Sequence, residues 1–117
     1  MTQEKFFHKN LAAGRWHTMT LAEQLGNTGS EVERAVRHKE KNNQESSTLA
    51  FYRALELLDL TIADKRWITR LKELCRTREV LCDFFAGKNE FKTTSGFLIK
   101  YFYQFGYLAR TQSGFKQ

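Results

Sequence analysis

Residues 64–87 read DKRWITRLKELCRTREVLCDFFAG. The stretch has no proline and no internal glycine, and its apolar residues return every three or four positions. Trp67, Leu71, Leu74, Cys75, Leu81, Cys82 and Phe85 fall on one face, interrupted only at Arg78. Asp64 is placed to cap the N-terminus and Gly87 to stop the C-terminus, which predicts one helix of about six turns. An amphipathic helix of that length must cover its stripe with other helices.

The rest of the chain supplies them. No proline occurs anywhere in the 117 residues, and β-type alternation is scarce. Thr20-Leu-Ala-Glu23 spells a capping box, so a helix begins at 18–20 and runs to about 39, burying Leu21, Leu25, Thr28, Val32, Ala35 and Val36. Ala22, Gly26 and Gly29 form a second line along it. Two glycines inside a helix cost about 1 kcal/mol each, which a close neighbouring backbone would offset; the alternative is a break near residues 26–29. A polar run at 37–47 predicts a helix end and an exposed loop of about eight residues. A second helix over 48–63, capped by Ser46 or Ser47, carries Phe51, Leu55, Leu58 and Ile62 on one face and Tyr52, Leu57 and Leu60 beside it, as a central helix does. A final helix over 95–111 is rich in aromatics, with Leu98, Phe102, Phe105 and Ala109 able to face the core. Residues 1–14 are assigned to a short helix or arm burying Phe6, Phe7 and Leu11, and Trp16 to the core. The prediction is a single all-α domain, a four-helix bundle mostly up-and-down.

No stretch is apolar enough to span a bilayer and the start lacks a signal-peptide pattern, so no membrane association and a cytoplasmic location are expected. Cys75 and Cys82 lie about 10 Å apart along one helix, too far to pair with each other, and read as core thiols.

Catalytic patterns fail in turn. The histidines and cysteines show no CxxC, HxxxH or ExxH spacing, so no metal is expected. The glycines match no phosphate-binding loop, no cofactor is implied, and neither cysteine has an identifiable histidine partner. Helical-bundle ribonucleases of the HEPN class carry an Arg, then four to six intervening residues, then a His. Arg34-Ala-Val-Arg37-His38 has three residues after the first Arg and none after the second. The expectation is a non-enzymatic protein.

Charge is more informative. The net charge is +6, and residues 65–117 hold all of the excess; residues 91–117 carry four basic side chains and no acidic one. Lys65, Arg66, Arg70, Lys72 and Arg76 form a basic line on the third helix, to which Lys100 and Arg110 add on the fourth. These are the candidate contacts to RNA, DNA or a larger protein partner. Phe97, Tyr103 and Tyr107 cannot all face the core, which makes them candidates for a homo-oligomer interface. Asp59 and Arg78 sit inside apolar stripes of helices that should be antiparallel neighbours, and a buried polar pair of Arg78 with Asp59, or else with Glu56, is predicted.

Gly14-Arg-Trp16, the run LAEQLGNTGSEVERA at 21–35, LELLDLTIAD at 55–64 and RLKELCRTREVLCDFF at 70–85 resemble a family of small prokaryotic proteins with no assigned function. More loosely, the layout resembles the four-helix proteins encoded in ribosomal-RNA intervening sequences and the accessory proteins of diversity-generating retroelements. That likeness implies a basic, oligomeric accessory module engaging nucleic acid, a nucleoprotein or a larger enzyme. A protein-binding subunit such as an antitoxin or assembly factor is the second reading, and an unrecognised nuclease the third.

Overall fold

The computed structural model describes residues 14–115, and the expected N-terminal helix or arm lies outside them. Four α-helices follow a 3-10 turn at Arg15–Thr18: α1 Leu21–Glu40, α2 Gln44–Ile62, α3 Leu71–Ala86 and α4 Ser95–Phe115. Pairings between them give the topology. Ser47 Oγ donates to Ala35 O and Arg53 Nε to Glu31, so the partner on α2 advances as that on α1 recedes. Phe51 with Phe85 and Asp59 with Arg78 make α2 and α3 antiparallel, and Gly26 against Gly106 with Gly29 against Phe102 does the same for α1 and α4. The chain is an all-α four-helix bundle that runs up and down.

The start of α1 is the predicted capping box: Glu23 N donates to Thr20 Oγ1 at 3.1 Å and Thr20 N to Glu23 Oε1 at 2.8 Å. The helix continues through residues 26–29 without a break because those glycines meet α4. A Cβ on Gly26 would lie 3.0 Å from Gly106 Cα, and one on Gly29 would run into the Cβ of Phe102. Close backbone approach, with its gain in dispersion contacts, offsets the poor helix propensity of glycine.

Two boundaries differ from expectation for local reasons. The α1–α2 connection is residues 41–43, shorter than the predicted loop, and α2 starts at Gln44. Asn42 takes a left-handed conformation (φ 61°), which an asparagine tolerates, and the Asn43 side chain accepts from Ser46 N as the cap. Ser47 is thereby freed for its buried bond to α1. Residues 64–87, in turn, are not one helix. Lys65–Arg70 is a 3-10 segment with Trp67 off helical geometry (φ −105°, ψ 27°), and the regular helix begins only at Leu71.

That kink rotates α3 relative to the predicted stripe. Leu74, Leu81 and Phe84 are buried, whereas Cys75 is exposed and Cys82 half-buried, so the expectation of two core thiols is corrected. Leu25, Val32, Val36, Ala50, Phe51, Ala54, Leu58, Leu98 and Phe102 complete the core. Tyr52 lies outside it, half-exposed. No helix of the described residues is long and apolar enough to cross a membrane.

Candidate functional site

Three constructions stand out on the bundle besides the predicted Asp59–Arg78 pair, and they have different capacities. The first is a buried junction where the chain enters α1 and leaves α2. Asp64, only 5% exposed, is its centre. Its Oδ1 accepts from Arg66 N (3.1 Å) and Arg66 Nε (3.0 Å), and its Oδ2 from Arg66 Nη2 (2.7 Å), Gln24 Nε2 (3.1 Å) and His17 Nδ1 (3.2 Å). A carboxylate only accepts, so the His17 proton on this side sits on Nδ1. Gln24, fully buried, also donates to Trp16 O and accepts from Trp67 Nε1 at 2.9 Å, while Trp16 Nε1 donates to Thr61 Oγ1. The Arg66 guanidinium further reaches Met19 O and lies 4.5 Å from the Trp67 ring centroid.

Hydrogen bonding to Arg66 holds the Asp64 carboxyl far below the usual carboxylate range, burial working against it and Gln24 and His17 reinforcing it. The same contact raises the Arg66 guanidinium further. Every named polar group has a partner within the fold. The junction is a rigid cross-brace, and Arg66, predicted as a nucleic-acid contact, is committed to it.

The second construction joins α3 to α4. Arg70 bonds Glu73 at 2.8 Å, and Tyr101 OH donates to the other Glu73 oxygen at 2.8 Å, with Thr77 Oγ1 3.3 Å from the phenol. Burial would raise the Glu73 carboxyl, but Arg70 and Tyr101 outweigh it and hold it down; burial, with Glu73 alongside, pushes the Tyr101 phenol up. Arg70, a predicted free cation, is thus in an exposed pair.

Arg78 grips Asp59 through Nε at 2.7 Å and Nη2 at 3.3 Å, and its Nη1 reaches Cys82 Sγ at 3.7 Å. The pair is not buried, since the side chains are 39% and 52% exposed; the stripe on α3 has turned away and left Arg78 at its margin. An exposed pair contributes about 0–1 kcal/mol. Arg78→Ala should therefore change the unfolding free energy by less than about 1 kcal/mol in urea titration.

The third construction is the outer face of α4. Phe97 (60% exposed), Tyr103 (61%) and Tyr107 (56%) project there with Leu108, Lys100 and Gln104. Arg110 stacks 5.7 Å from the Tyr103 ring centroid. Of the α3 line, Lys65 and Lys72 are exposed, and Arg76 lies 4.9 Å from the exposed Phe91 ring. Periodicity found the aromatic surplus on α4. It missed the Asp64 junction, whose partners His17 and Gln24 lie forty or more residues from Asp64, although the Arg-Trp pairs at 15–16 and 66–67 flank it.

Between the junction and α4 runs a groove of about 510 Å³, lined by Leu21, Trp67, Phe105 and Leu108 with Arg66 and Arg70. No group of three or more metal-ligating side chains occurs among the described residues. No family model, curated protein or solved structure matches the chain.

Proposed function

We propose that the protein is a non-catalytic accessory module that binds nucleic acid through the outer face of α4, with the exposed cations Lys65, Lys72 and Arg76 as further contacts. One observation carries this reading: exposed Phe97, Tyr103 and Tyr107 alternate with Lys100 and Arg110 on a helix without a single acidic residue. Bases stack on aromatic side chains at about 1–3 kcal/mol each, cations attract the phosphates, and no carboxylate on the helix repels them. The looser likeness to ribosomal-RNA intervening-sequence proteins supports the same reading.

A second reading, a protein-binding subunit or homo-oligomer interface on this face, is favoured by the apolar Phe97 and Leu108, 60% and 44% exposed. Charge weighs against a two-fold contact of α4 with its own copy. Such an interface would bring Lys100 and Arg110 of both copies together with no acid on either helix to match them. Light scattering separates monomer from oligomer.

Fluorescence anisotropy with labelled single-stranded oligonucleotides tests the first reading. Binding is expected at 50 mM salt and should weaken steeply by 200 mM. The double variant Tyr103→Ala, Tyr107→Ala should bind at least about tenfold more weakly with unchanged circular dichroism. Lack of binding to any RNA or DNA at 50 mM salt would sink the proposal.

A further inference from the structure

We infer that the groove beside Trp67 receives a single unstacked base, so that the protein selects single-stranded over duplex nucleic acid; this rests on the nucleic-acid reading of α4. Its size, about 510 Å³, lies within the range of about 300–1,000 Å³ typical of small-ligand pockets. The lining suits a base. Leu21, Trp67, Phe105 and Leu108 offer apolar and aromatic surface, and Thr20, Thr69 and Gln112 offer hydrogen-bonding groups for a polar ring edge. Arg66 and Arg70 place guanidinium groups in the same groove, each paired with a carboxylate.

The two arginines differ in freedom. Arg66 is held by Asp64 and Met19 O, so its position is fixed before any ligand arrives. Arg70 is paired with Glu73, but both side chains are more than 40% exposed. Such a pair contributes about 0–1 kcal/mol, so a phosphate can take the place of the carboxylate at little cost.

The groove is continuous with the proposed binding face. Leu108 belongs to both: it is exposed on α4 and lines the groove. Leu108 follows Tyr107 directly along α4, so a strand that crosses Tyr107 and bends round the helix reaches the groove there. A duplex keeps its bases paired and presents only edges and phosphates, so it can touch the α4 cations but cannot fill the pocket.

The test uses the full chain with a twelve-nucleotide single strand, a duplex of the same sequence, and a free mononucleotide. Trp67 emission reports the groove, against the constant background of Trp16, which is fully buried. The single strand should bind about tenfold more tightly than the duplex and shift Trp67 emission, while the duplex should not. Thr69→Glu places a carboxylate in the groove from the 3-10 segment; it should abolish the emission change and the strand preference. Glu45→Gln, at the opposite end of α2 from the groove, is the control and should keep both.

Equal affinity for strand and duplex, or strand binding with Trp67 emission unchanged, would overturn the groove while leaving the α4 reading in place. A mononucleotide that shifts Trp67 emission while strand and duplex bind alike would make the groove an independent nucleotide site and overturn the strand selection. Absence of any nucleic-acid binding would overturn both.

Discussion

Asp64→Asn should lower the unfolding free energy by about 3 kcal/mol, within the upper part of the range for single substitutions. The change is nearly isosteric, so the loss comes from hydrogen-bond polarity. All five contacts to the Asp64 oxygens come from donors, on Arg66, Gln24 and His17. Whichever way an asparagine amide is turned, its NH₂ faces donors where an oxygen stood. Breaking a buried charge pair costs about 3–5 kcal/mol; Arg66 is 42% exposed and can turn to water, which keeps the cost near the lower end. The midpoint of thermal unfolding should fall by roughly 10 °C.

The pH dependence checks the mechanism independently. The Asp64 pKa is depressed in the folded protein, so its contribution is fully present above the ordinary carboxylate value of about 4 and is lost as pH falls below it. Glu73, also depressed, adds in the same direction. The stability gap between wild type and Asp64→Asn should therefore be constant from pH 5 to 7 and shrink progressively below pH 4. A gap that stays constant to pH 2 would mean that packing, not the carboxylate, carries the effect.

Gly29→Ala should destabilise by about 2 kcal/mol, opposite in sign to its helix propensity. Alanine is favoured over glycine by about 1 kcal/mol in a helix interior. The new methyl would run into the Cβ of Phe102, an atom fixed to the α4 backbone that cannot rotate away. The helices must part, and overpacking of this kind costs up to about 3 kcal/mol. Gly96→Ala, which meets nothing within 4 Å, is the control and should be neutral or stabilising. Chemical denaturation of both variants checks the pair; a stabilised Gly29→Ala would contradict the close α1–α4 seam.

Local signals were legible from sequence and distant ones were not. The capping box at Thr20 depends on four adjacent residues, and the glycines at 26 and 29 announced a neighbour without saying which. The start of α2 was misread because Asn42 and Asn43 looked like loop, though one adopts the left-handed turn and the other caps the helix. The kink at Trp67 turned Cys75 outward and Phe84 inward, a rotation that periodicity averaged over residues 64–87 cannot reveal. At the candidate site, exposed aromatics on α4 followed from an excess the core could not hold. The fate of Arg66 and Arg70 depended on Asp64 and Glu73, and counting cations along a helix does not identify the carboxylates that claim them.

The position of the Asp64 junction in the fold carries an expectation for the kinetics of opening. The α1–α2 hairpin closes through a three-residue turn at 41–43, so its contacts grow outward from near neighbours. The junction joins residues 16–24 to residues 61–67, at the far end of that hairpin, and is expected to close after its turn end. Interactions absent from the transition state govern the rate of unfolding rather than that of folding. On that order Asp64→Asn is expected to speed unfolding more than it slows refolding, which stopped-flow kinetics of the variant checks.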